Sequence, residues 1–126
     1  MSSPITWPDK PEIAGLLNGA MFARLREGAT FINTGRGRTV NETDLIATMR
    51  RRPDLTALLD VTHPEPPPPA SPLFTLPNLR VSSHIAGAIS DEVHRLADCC
   101  IEEYTRYSRG ESLSHAVTLE MLAALA

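Results

Sequence analysis

The stretch Phe31-Ile32-Asn33-Thr34-Gly35-Arg36-Gly37 constrains the fold of this chain more than any other. An apolar run of strand character, 29–32, stops at Asn33, and a single arginine follows between two glycines. A strand delivers Arg36 to its C-terminal end, and Gly35 and Gly37 let the backbone turn sharply there. In open α/β sheets that edge is where ligands bind. The guanidinium is a planar fork of donors suited to a carboxylate. The same residues also read as a tight strand-to-helix turn with a solvated arginine, and the stretch alone does not separate the two.

The neighbouring segments supply the rest of an α/β unit. Asn18 is placed to cap a helix, with Leu17 and Phe22 at staple spacing. Met21, Phe22 and Leu25 form its apolar side, and Gly28 stands as its C-cap. After Arg36, Asn41 caps a second helix, with Asp44 three residues on and Val40 and Leu45 at staple spacing. Leu45, Ile46 and Met49 share a face, and Pro53 ends the helix. The run 55–61 closes on Asp60 and Val61; Ala57, Leu58 and Leu59 in succession predict a strand buried on both faces. Strand, helix, strand with short joins is a βαβ unit with a right-handed crossover.

Residues 62–69, Thr-His-Pro-Glu-Pro-Pro-Pro-Pro, are the most biased segment. They read as a stiff loop between two strands, in preference to a ligand for a proline-binding module. Glu65 lies between two prolines, so its backbone is biased away from helix. A third strand, 78–83, leads into His84-Ile85-Ala86-Gly87. Ser90 caps the longest helix, with Asp91 and Glu92 in its first turn. Ile89, Val93, Leu96, Cys100, Tyr104 and Tyr107 form its apolar stripe, which makes Cys100 a small core residue, and Gly110 ends it. A short helix is expected within 117–125.

Bulk properties exclude several classes. With 12 basic and 15 acidic side chains the net charge is −3, and Arg50-Arg51-Arg52 reads as a solvated helix end. Nucleic acid is not an expected partner. No apolar run reaches membrane-spanning length, and no signal-peptide pattern opens the chain. Adjacent Cys99 and Cys100 suggest neither a disulfide nor a metal site, so a reduced cytoplasmic protein is expected.

Three strand ends therefore carry Arg36, then Asp60 with Glu65, then His84. Parallel strands direct these groups to one edge. The arginine suits an anion and the histidine proton transfer near neutral pH, while a carboxylate can orient the imidazole. Asn33-Thr34-Gly35-Arg36-Gly37, Leu59-Asp60-Val61, Pro64-Glu65-Pro66 and His84-Ile85-Ala86-Gly87 together resemble the NAD-dependent D-2-hydroxyacid dehydrogenases. That family includes phosphoglycerate dehydrogenase and the glyoxylate/hydroxypyruvate reductases, and the resemblance runs from about Pro4 to about Gly110.

The resemblance implies roles by position. Arg36 matches the arginine that binds the carboxylate and carbonyl of a 2-oxo acid. His84 matches the acid/base that protonates the carbonyl oxygen, and Glu65 the acid that orients it. Asp60 matches the residue that meets the nicotinamide carboxamide. Thr34, Gly35, Arg36 and the segment of His84, Ala86 and Gly87 line the cofactor, NAD(H) or NADP(H), and Pro4 matches a proline on the adenosine side. No metal is implied. Three departures stand out. Ser83 replaces the usual proline before the histidine, Pro11-Glu12-Ile13 lacks the hydroxyl of Pro-Glu-Thr, and there is no G-x-G-x-x-G turn for the pyrophosphate.

The expected fold is thus a partial Rossmann-like parallel sheet of about three strands with flanking helices and a long C-terminal helix. Residues 1–110 would be the C-terminal half of an NAD-binding domain and 111–126 a tail. The resemblance implies part of an oxidoreductase that is inactive alone and binds no cofactor tightly. The alternative is a non-catalytic, self-associating module, and a homo-oligomer is expected in either case.

Overall fold

The computed structural model describes residues 11–125. They divide into two compact units, one running to His84 and the other beginning at Ile85. Pro4 and Pro8 lie outside the described residues.

The first unit is a three-stranded sheet in the order β1-β2-β3, with β1 Thr30–Asn33, β2 Thr56–Leu59 and β3 Leu79–Val81. Both pairings are parallel, with Ile32 opposite Leu58 and Leu58 opposite Arg80, so the three C-terminal ends share one edge. A partial Rossmann-like parallel sheet is what the sequence leads one to expect. Helix α2, Glu42–Arg51, crosses from β1 to β2. Its cap forms as expected: the Asn41 side chain accepts from the Asp44 N–H at 3.1 Å, and Val40 and Leu45 are both buried. Leu45, Met49, Leu55 and Leu73 are the largest fully buried side chains. Phe22 and Phe31 meet edge to face with ring centroids 5.3 Å apart, adding a directional contact to the apolar packing.

Helix α1 spans only Gly19–Phe22 and does not reach Gly28; Asn18 still caps it, accepting from Ala20 N at 3.0 Å. Its apolar side is too sparse to hold a longer helix: Met21 is exposed and Leu25 only partly buried. Strand β2 is buried on one face, not two. Ala57 and Leu59 point into the core, whereas Leu58 is 38% exposed and Ile32 beside it 45%. The apolar run marks a strand suited to cover on both sides, but here Phe22 of α1 and Leu45 and Met49 of α2 share one buried cluster with Ala57 and Leu59, and Leu58 on the other face is left out of it.

Asn78, expected to open the third strand, lies just before β3 (Leu79–Val81) and ties the crossover together. Its amide nitrogen lies 3.0, 3.1 and 3.0 Å from Met49 O, Arg52 O and Leu55 O, so its two hydrogens serve three carbonyls with one hydrogen shared. These are carbonyls at and just beyond the end of α2, where the helix leaves acceptors unmatched. Asn78→Asp turns that donor into a third-party acceptor among carbonyls. It is expected to cost roughly 2–4 kcal/mol in urea unfolding at neutral pH. Below about pH 4 the deficit should narrow, because the protonated carboxyl regains one donor. At the same helix end Arg50 and Arg51 are exposed, while Arg52 pairs with Asp54 at 2.7 Å. The bond to Arg52 holds the Asp54 carboxyl down at about 2.

The second unit contains α3, Asp91–Ser108, and α4, Leu119–Leu125. Ser90 precedes α3 but makes no side-chain cap. Its backbone, at φ 56 and ψ −132, is not the extended conformation from which a cap side chain reaches the first turn. Cys100 is exposed, not a core residue, as are Ile89, Val93, Leu96, Tyr104 and Tyr107. The stripe exists in the sequence, but α3 has no buried residue. No described helix is long and apolar enough to cross a membrane.

Candidate active site

The turn after β1 is built from its first residue. Asn33 is buried at the strand end; its side-chain oxygen accepts from Gly35 N at 3.1 Å and its amide donates to Arg36 O at 3.2 Å. Thr39 also donates to Arg36 O, from its hydroxyl at 2.7 Å. The Arg36 main chain is thereby fixed in an extended conformation, φ −136 and ψ 133, while the residue itself stays exposed. Among the described residues its side chain makes one hydrogen bond, from Nη1 to Gly35 O at 3.0 Å.

The role of the glycines differs from the sequence reading. Neither Gly35 nor Gly37 adopts a positive φ. Gly37 is required by proximity instead: a Cβ there would lie 2.0 Å from the Thr62 carbonyl oxygen. The arginine turn thus rests directly on the main chain that follows β2.

At the end of β2, Asp60 is buried, and its Oδ1 accepts from the Ser82 hydroxyl at 2.5 Å. Its N–H donates to Asn33 O at 2.9 Å, and Ser82 N donates to Leu59 O at 2.9 Å, so the three strand ends are laced together. The segment 62–69 is a bent loop with cis bonds before Pro64 and Pro66. Thr62 donates its hydroxyl to Pro64 O at 3.0 Å, and His63 N donates to Glu42 Oε1 at 2.6 Å.

The loop brings Glu65 to the histidine after β3. His84 Nδ1 and Glu65 Oε1 are 2.8 Å apart, with the side chains 52% and 41% exposed. An ionised carboxylate can only accept, so Nδ1 carries the proton of this bond and Nε2 is the ring nitrogen not spent on it. His84 has φ 57, a conformation uncommon for a side-chain-bearing residue and frequent at functional positions. Of the residues singled out from sequence, the structure joins Glu65 to His84 and sets Arg36, Asp60 and this pair at consecutive ends of one sheet edge. Thr34 is exposed and Gly35 buried in the arginine turn, while Ala86 and Gly87 belong to the second unit. Among the described residues no cluster of His, Cys, Asp or Glu suits a metal.

Glu42, Ser82 and Asn33 also shape the site, through contacts that the sequence does not signal. Glu42 reads in sequence as a first-turn acid answering the helix dipole, and only the long-range contact to His63 reveals more. Burial raises the pKa of its carboxyl above the usual range, against the lowering effect of the His63 N–H.

The described fold is thus a parallel α/β unit that carries Arg36, Asp60 and the Glu65–His84 pair at the carboxyl edge of its sheet. Residues 4–86 match the family model described as D-isomer specific 2-hydroxyacid dehydrogenase, NAD binding domain, and the chain belongs to that family. It is similar to glyoxylate/hydroxypyruvate reductase B of Citrobacter koseri, at 39% identity over 95 residues, 75% of this chain and 29% of the relative. Among solved structures it resembles a D-isomer specific 2-hydroxyacid dehydrogenase from Polaromonas, with a TM-score of 0.77 and 27% identity over 88% of this chain and 34% of that one. It also resembles the NADPH-dependent glyoxylate/hydroxypyruvate reductase of Sinorhizobium meliloti, solved with NADP and sulfate, with a TM-score of 0.74 and 32% identity over 96% of this chain and 38% of that one. The chain spans about a third of the length of these relatives.

Proposed function

We propose that these residues form the substrate-side part of the cofactor domain of an enzyme that reduces a 2-oxo acid to a D-2-hydroxy acid with NAD(P)H. We further propose that the 126 residues alone do not turn over. The observation that carries the reading is the 2.8 Å pair of Glu65 and His84 on the edge where the strand leading to Arg36 also ends. Arg36 binds the substrate carboxylate through its donor fork. Glu65 holds the imidazole by Nδ1, and Nε2 delivers a proton to the carbonyl oxygen. NAD(P)H, when bound, supplies the hydride.

The residues present fit one end of that cofactor. Asp60 is a buried acceptor anchored by Ser82 and suits a carboxamide N–H, and the Thr34-Gly35 turn lies beside it on the same edge. Ala86 and Gly87 are assigned to the cofactor by the resemblance. The sequence holds no glycine-rich turn for the pyrophosphate. That supports weak cofactor binding and a wet site, in which electrostatic stabilisation of the reaction is lost.

The test is a chimaera in which these residues replace the matching part of the Citrobacter koseri reductase. Turnover of glyoxylate or hydroxypyruvate by the chimaera, with none by the 126 residues alone, is the expected result. A chimaera that folds and binds NADPH without turnover would sink the reading. Steady turnover by the short chain, abolished in His84→Ala, would overturn the proposed inactivity. A second reading, a self-associating module without catalysis, is favoured by the exposed Ile32 and Leu58 on the sheet and by β1 standing at its edge among the described residues. A homodimer in sedimentation at high concentration would support it, and a monomer would count against it.

A further inference from the structure

We propose that Glu42 is a positioning residue for the Glu65–His84 pair: by holding the His63 N–H it sets where the proline loop places Glu65. This rests on the reading of Glu65 and His84 as the acid/base pair. Between His63 and Pro69, residues 64, 66, 67, 68 and 69 are prolines and have no N–H, so only His63 and Glu65 have a main-chain donor. A loop so poor in donors has few ways to be tied to the fold. The His63 donor meets a carboxylate oxygen at 2.6 Å, a short contact even for a hydrogen bond to an ionised group.

That carboxylate is not a free surface charge. Glu42 lies in the first turn of α2, directly after the Asn41 cap, and is half-buried. Burying a carboxylate is unfavourable unless it is bonded, and here the bond goes to the loop. The helix dipole further favours a negative group at this end. The loop is also seated on Gly37 at Thr62, the residue before His63. The arginine turn therefore holds the loop by steric contact at Thr62, and α2 holds it by Glu42 at His63. Two residues later the chain presents Glu65 to His84 Nδ1. Glu42 touches neither reacting group directly; it acts through the loop.

The test uses the chain with its histidines labelled with nitrogen-15, without substrate or cofactor. The ring-nitrogen resonances of His84, assigned by His84→Asn, report whether Nδ1 is bonded, and Glu65→Ala gives their positions when it is not. Glu42→Ala is expected to move the His84 Nδ1 resonance at least half-way to that reference. It should also speed exchange of the His63 amide by roughly tenfold or more. Glu42→Gln keeps an oxygen for the His63 N–H and should restore the resonance close to the parent position. Glu42→Asp draws the oxygen back by about 1.5 Å and should give an intermediate shift, which keeps the test available if the alanine variant does not fold. An unmoved His84 resonance in both the alanine and aspartate variants would overturn the proposal, as would an equal displacement in the glutamine variant. A purely structural role for Glu42 would lower stability without moving the ring resonance. Because the spectra involve no turnover, their failure leaves the chimaera test standing, and a dead chimaera leaves the spectra standing.

Discussion

Gly37→Ala is expected to leave the first unit largely unfolded. The added Cβ would fall 2.0 Å from the Thr62 oxygen, 2.2 Å from its carbonyl carbon and 2.7 Å from its Cα. Overlap with a flexible side chain can be relieved by a rotamer change, but these are main-chain atoms. Thr62 cannot retreat easily, because its neighbours Asp60 and His63 are bonded to Asn33 and Glu42. Moving the other partner is no simpler, since Arg36 O takes hydrogen bonds from Asn33 and Thr39. A cost above about 4 kcal/mol is expected, a large part of the stability of a small domain. Urea denaturation and near-ultraviolet circular dichroism measure it. Gly87→Ala is the control: nothing lies within 4 Å of its added carbon, and a change within roughly 0.5 kcal/mol is expected. A Gly37→Ala variant as stable as the parent would show that the turn and the loop do not touch as described.

The second large effect is catalytic and belongs to the chimaera. There His84→Ala should lower kcat by roughly 10²–10⁴-fold with little change in KM, since the ring acts on the proton in the transition state. Arg36→Ala should instead act strongly on KM, because the fork engages the carboxylate of the bound substrate as well as the transition state. Loss of Glu65 should fall between full activity and the His84 deficit, as the imidazole survives but its orientation loosens. A His84→Ala chimaera that retained kcat within about threefold would remove the histidine from the mechanism.

Much of the fold is legible in local signals. Asn18 and Asn41 announce helix starts by side chains that bond their own first turns, and both caps form. The parallel order follows from strand, helix, strand with short joins. Reading fails where the outcome depends on what packs from a distance. An apolar run marks β2 but does not say whether its second face is covered, and Leu58 remains exposed. The stripe on α3 has the same weakness: its spacing suits a core-facing side, but Cys100 on it is exposed. Ser90 has the right side chain for a cap and the wrong backbone for one.

For the candidate site the sequence alone determined the residue types, their order and their places at successive strand ends, because a parallel sheet turns that order into a shared edge. It also determined that the pyrophosphate turn is not among these 126 residues. The tertiary structure decided how Glu65, already matched to His84 by the resemblance, reaches it: through a proline loop bonded to Glu42 and seated on Gly37. Such contacts join residues about twenty positions apart in sequence. No local period or propensity encodes them; they exist only once the strands have fixed the distance between their turns.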